Sequence, residues 1–178
     1  MTQVTRVLGS STFKSSLLLG NGLWHLAALH AFTQKPRGIL RKYTHPSTPH
    51  TPSTHDVLIF LGALNSSLSF LAFYRLYRTL KARKRALTTA LSKGKGKEWG
   101  EKQEKQNGLQ AAVEAQVERS EDRLAFLTLG VANGSQALLD LFSQRLFDGR
   151  WRLGGFDIIT VLDTFFLVAD WLWAYTYT

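Results

Sequence analysis

The chain reads as all-α, an integral membrane four-helix bundle with spans at about 15–34, 57–74, 124–142 and 156–177 and long helical extensions between spans two and three. Three observations predict this class. Four long stretches are almost free of charge, although the mean hydropathy of the whole chain is near neutral because polar residues are concentrated in three connections. Each stretch is close to the roughly 20 residues that cross a hydrocarbon core of about 30 Å at 1.5 Å per residue. Finally, Val57–Phe73 contains only Asn and Ser as polar residues, so it has no solvated face at 3.6-residue spacing of the kind a soluble four-helix bundle needs.

The chain has 178 residues, the length of one domain. It has no cysteine, which excludes disulfides, thiolate metal sites and a cysteine nucleophile. The net charge of +9 sits beside the apolar stretches, where it sets topology and meets anionic lipid. No recognition motif for nucleic acid accompanies it, so none is expected as a partner.

Residues 15–34 lack Asp, Glu, Lys and Arg and follow a polar start bearing Arg6 and Lys14. The first 55 residues contain no acid, as in transit peptides, but no A-x-A site follows cleanly, and the segment reads as a signal-anchor first helix. It is the least apolar of the four, with Asn21 and His25 one turn apart. Residues 35–55 hold all four prolines and read as an extended loop. His45, His50 and His55 recur there at intervals of five, but prolines separate them and no carboxylate is interleaved, so no metal site is expected.

The second span runs straight into YRLYRTLKARKRALTTALSK, which no Gly or Pro interrupts and which should project from the membrane as a helix. Arg75, Arg78, Lys81, Arg83, Lys84 and Arg85 stand where anionic headgroups are expected. GKGKEWG breaks that helix, and a second polar helix, from Leu109 with Ala112, Val113 and Val117 at helical spacing, leads into the third span. The connection 75–123 thus reads as a polar, basic, helical unit with a flexible tip near 93–108, its two arms either paired or separately solvated. The N-terminus and this connection carry 15 of the 22 Lys and Arg, which places both termini and the connection on the cytoplasmic or matrix side.

Two local patterns could carry chemistry or packing. Leu61-Gly-Ala-Leu-Asn65-Ser-Ser67 matches Leu129-Gly-Val-Ala-Asn133-Gly-Ser135 at four of seven positions. Each contains a small-xxx-small pair, Gly62/Ser66 and Gly130/Gly134, which lets helix backbones approach, and an Asn that needs a partner in a dry setting. The last span carries Asp163 and Asp170, seven residues apart and so on one face. An acid at the centre of a spanning helix costs roughly 2.5–3.5 kcal/mol on insertion scales and should face protein or water. Asn21, His25, Asn65, Asn133 and Gln136 are the available partners, with Asp140 on the neighbouring span. Asp163 reads as the deeper acid; Asp170, beside Trp171 and Trp173, reads as the one nearer interfacial water.

No HExxH, Walker loop or Ser-His-Asp arrangement is present. In size and number of spans the chain resembles the small sterol-biosynthesis scaffold proteins of the endoplasmic reticulum. The long polar connection and the Asp-bearing last helix depart from them, and no residue is carried over. The expected function is a non-catalytic scaffold or accessory subunit of a membrane protein complex, without cofactor. Its partners would be lipids and other integral membrane proteins or copies of itself. The alternative is a lipid-modifying enzyme or small transporter using His25, Asp163 and Asp170 as its catalytic or binding groups. The endoplasmic reticulum is the expected location, with the mitochondrial inner membrane as the alternative.

Overall fold

The computed structural model describes residues 10–92, 101–146 and 158–176. Among these, the fold is entirely helical: α1 (Ser11–Gln34), α2 (Pro36–Tyr43), α3 (Pro52–Ser92), α4 (Glu101–Leu146) and α5 (Ile158–Thr176). Three helices, α3, α4 and α5, are long and apolar enough to cross a membrane. The 8 residues 93–100, within the expected tip, and 147–157, including the Trp151 turn, lie outside the described residues.

Local chemistry sets the boundaries. Ser10 caps α1, its hydroxyl accepting the Phe13 N–H at 3.1 Å, and Pro36 ends the helix by disfavouring helical backbone at Lys35. The first connection is not the extended loop expected from its prolines. Pro36 is the first residue of α2, a position where the missing N–H does no harm, and Pro52 does the same for α3 after Thr51, whose hydroxyl accepts the Thr54 N–H at 3.3 Å. Helix α2 is amphipathic: Leu40 and Tyr43 are buried, while Arg37, Arg41 and Lys42 are exposed.

Two helical hairpins make up the bundle. Helix α1 packs along α3, and α4 along α5, while α3 meets α4 and α1 meets α5 over shorter stretches. Glycines set the spacing within each hairpin. A methyl group on Gly62 would lie 2.8 Å from Thr33 of α1, and one on Gly22 2.8 Å from the ring of Phe73. In the other hairpin a methyl group on Gly134 would lie 2.8 Å from Leu167, and one on Gly130 would run into the indole of Trp171. Ser66, the second member of its pair, is half-buried and donates to the Ala63 carbonyl of its own helix.

What is buried and what is exposed are the reverse of a water-soluble bundle. Phe60 and Phe70 are 65% and 72% exposed, and Leu19, Leu23, Val131, Leu138, Val161, Phe165 and Val168 also face outward. Asn21, His25, Asn65, Ser69, Asn133, Asp140, Asp163 and Asp170 face inward. An apolar exterior around polar contacts suits lipid as the surrounding solvent, and three apolar helices are compatible with a membrane protein. The apolar core proper, Leu17, Leu18, Ala72, Phe126, Leu129, Phe166, Ala169, Trp173 and Ala174, occupies the end of the bundle where α3 and α4 leave it.

At 41 and 46 residues, α3 and α4 are about 60 and 70 Å long, twice a hydrocarbon core. Their excess forms two arms, 76–92 and 101–121. The second arm starts at Glu101, ahead of Leu109 where the pattern placed it, because residues 101–108 continue the helix through Gly108. Among the described residues, Arg78 and Glu121 join the arms at their base, 3.9 Å apart. Leu80, Leu87, Leu109, Val113 and Val117 are all exposed, so neither apolar face is covered by the other.

A buried polar column as the candidate functional site

The inward polar groups form three levels along the bundle. At the base, Lys14 of α1 and Arg75 of α3 both engage Asp122 of α4; Arg75 Nε donates to Asp122 Oδ1 at 3.0 Å. Arg75 also pairs with Glu121 and donates to the Glu118 carbonyl at 3.2 Å. Lys14 Nζ lies 5.4 Å from the ring centre of Trp173, which brings α5 into the same knot. Lys14, Arg75 and Asp122 are all buried, and the charges among them and Glu121 balance.

One level further in, Asn21 Nδ2 donates to Asp170 Oδ1 at 2.9 Å, and Asn133 Nδ2 donates to Asn21 Oδ1 at 2.9 Å and to Asp170 Oδ2 at 3.5 Å. This triad joins α1, α4 and α5. Ser69 of α3 donates to the Gly22 carbonyl at 3.0 Å, an approach that glycine permits. At the third level Trp24 Nε1 donates to Asp163 Oδ1 at 2.7 Å, and His25 Nδ1 pairs with Asn65 Oδ1 at 2.8 Å. Asp140 and Thr160, both buried, lie beyond.

The duplicated pattern takes on a physical meaning here. In both copies the Gly is the point of close approach within a hairpin, Gly62 to α1 and Gly130 to α5. In both copies the Asn one turn later bonds a polar side chain on that same partner, Asn65 to His25 and Asn133 to Asp170. The order within the hairpins is reversed: the pattern sits on the second helix of one and the first helix of the other.

Several expected placements change. Asp170 does not reach toward water; it is as fully buried as Asp163, because the triad of Asn21 and Asn133 closes over it. Asp163 takes its hydrogen bond from Trp24, which was not among the expected partners, and His25 bonds Asn65 and neither acid. Gln136 is half-buried. Arg75 departs from the headgroup set, since its guanidinium is turned inward to Asp122, whereas Lys81, Arg83, Lys84 and Arg85 are exposed and Arg78 is partly so. The loop histidines do not converge: His45 bonds Ser47 and His50 bonds Thr44. Among the described residues no group of three or more His, Asp or Glu is placed to hold a metal.

Lys14, Asp122 and Trp24 escaped the sequence reading. Lys14 was legible as the lone cation at the mouth of an uncharged span, and Asp122 as an acid at the mouth of another, but nothing in sequence says that the two mouths adjoin. Trp24 sits one turn after Asn21 on the same side of α1, where an indole N–H has the reach for a second acid.

No protein-family model, curated protein or solved structure matches the chain.

Proposed function

We propose that the protein is a four-span membrane protein acting as a non-catalytic scaffold or accessory subunit of a membrane protein complex. The observation that carries this reading is the use to which the intramembrane acids are put. Asp170 accepts from Asn21 and Asn133, and Asp163 accepts from Trp24, so each acid ties α5 to α1. They act as fasteners between hairpins. The fourth span is α1. Leu19, Leu23 and Leu26 face outward while Asn21 and His25 face inward, the same pattern as in the three apolar helices α3, α4 and α5. The endoplasmic reticulum suits a signal-anchor first span, and the mitochondrial inner membrane suits the acid-free start.

Affinity capture of the tagged full chain from membranes in several mild detergents tests this reading. Integral membrane proteins recovered in stoichiometric amount are expected. Recovery of monomer alone under every detergent overturns it.

One observation favours the second reading, a lipid-modifying enzyme or small transporter. His25 Nε2 and Asn133 Oδ1 are buried and have no hydrogen-bond partner. Both atoms belong to the column, so polar groups beyond those needed for fastening line the bundle interior. Proteoliposomes holding the purified protein should then pass protons or cations, or convert a lipid, and His25→Phe should abolish it. No flux and no lipid product from the wild-type chain removes this reading.

A further inference from the structure

The two arms are complementary in charge and pair at their base, where Arg78 lies 3.9 Å from Glu121, yet the apolar side chains above that level are left uncovered. Residues 76–88 of α3 carry Arg78, Lys81, Arg83, Lys84 and Arg85 and no acid. Residues 109–121 of α4 carry Glu114, Glu118 and Glu121 against Arg119. Each arm also presents apolar side chains beside its charges. Leu80 and Val117 are 48% and 49% exposed, so neither is covered within the chain. Tyr77, Leu80, Lys81, Lys84, Arg85 and Thr88 line an open groove of about 800 Å³ along the α3 arm.

The heights of these groups match as well. Arg75 and Asp122 are bonded and so lie level, which gives both arms one origin. At 1.5 Å per residue, Leu80 and Val117 each lie about 7–8 Å past it; Lys84 and Arg85 lie at about 13–15 Å and Glu114 at about 12 Å; Leu87 and Leu109 lie at about 18–20 Å. With the Arg75–Asp122 level set at the hydrocarbon boundary, a headgroup layer about 5–7 Å deep leaves the outer half of the arm clear of lipid and open to a protein partner. Two copies in one bilayer, related by a two-fold axis along the membrane normal, keep every residue at equal height. That operation sets the basic arm of each copy against the acidic arm of the other, leucine to valine and lysine to glutamate. Like arms would instead oppose like charges.

We propose that the arms are a self-association surface, the α3 arm of one copy docking on the α4 arm of a second in a symmetric pair. This names a partner for the assembly role and rests on that reading, but its test is separate. The cysteine-free chain permits it directly. Two differently tagged full-length chains, one Leu80→Cys and one Val117→Cys, are co-expressed in membranes and treated with a short bismaleimide. A cross-linked species bearing both tags is expected, in excess over pairs of like-tagged Leu80→Cys chains.

Charge exchange supplies the second arm of the test. On the Leu80→Cys chain, Lys84→Glu with Arg85→Glu should lower cross-linking about tenfold, as reversal of several exposed pairs implies. A Val117→Cys partner carrying Glu114→Lys and Glu118→Lys should restore it. These residues lie outside the bundle, so its thermal stability in detergent should not change. Absence of any species bearing both tags overturns the proposal. So does cross-linking indifferent to the charge exchange, or closure only within a chain carrying both cysteines. Heteromeric partners captured in detergent without arm cross-linking would leave the scaffold reading standing and remove this one.

Discussion

At the scale of single residues, the decisive question for each buried acid is what its oxygen accepts from. Asp163 accepts the Trp24 indole N–H, a bond that an amide oxygen can also accept. Asp163→Asn should therefore leave the bundle's thermal midpoint in detergent nearly unchanged. Asp163→Leu strands the indole N–H and should cost about 1–3 kcal/mol, read from reversible denaturation in mixed micelles. Asp170→Leu removes the acceptor of two amides and should cost more than Asp163→Leu in the same assay. An Asp170→Leu variant as stable as wild type would show that the triad contributes nothing net. The base of the bundle behaves differently because its groups carry formal charge. Asp122→Asn leaves Lys14 and Arg75 facing a neutral amide, and breaking a buried pair in this way costs about 3–5 kcal/mol. Lys14→Met should cost less, since Asp122 then keeps Arg75. The reverse order in the denaturation midpoints would place the main attraction on Lys14.

At the scale of elements, close approach within the hairpins rests on glycine. Gly134 faces Leu167 with room for no side chain, and Gly62 faces Thr33 in the same way. Gly134→Leu should force α4 and α5 apart and destabilise by about 1–3 kcal/mol, as overpacking does, whereas Ser66→Leu should cost less because Ser66 is only half-buried and its hydroxyl bonds within its own helix. Comparable losses from the two substitutions would mean that Ser66 faces a surface that the chain alone does not show. Each interhelical side-chain bond adds only about 0.6 kcal/mol, so the hairpins depend more on this steric fit than on any one bond of the column.

At the scale of the whole molecule, Lys14, Arg75, Asp122 and Trp173 meet at one end, which joins the start of α1, the bases of both arms and the end of α5. Both chain ends and both arms should then face one compartment. In sealed vesicles, Thr88→Cys and Thr176→Cys should be labelled from the same side by an impermeant maleimide, and Ser47→Cys from the other. Labelling of Thr88→Cys and Thr176→Cys from opposite faces would exclude the four-span arrangement. The apolar exterior and the polar interior are properties at this scale too. Phe60 and Phe70 are largely exposed, as side chains facing lipid or a partner would be.

Composition and pattern alone determined the helical class, the charge-free stretches of membrane-spanning length, the continuation of α3 past its apolar stretch, and the inward face of Asp163 and Asp170. These follow from periodicity and from the price of placing polar groups in lipid, both of which act along the chain and can be read there. The start of α2 at Pro36 was equally legible but was read the other way, because proline breaks helices in their interior and opens them at the first turn. Partner choice was not legible. Which donor reaches Asp163, whether His25 turns to an acid or to Asn65, and that Arg75 turns inward to Asp122 rather than outward to lipid depend on the rotation and height of each helix against its neighbours. Tertiary packing decides those two quantities, because a one-residue turn of a helix moves a side chain by about 100° while leaving every periodicity in the sequence unchanged.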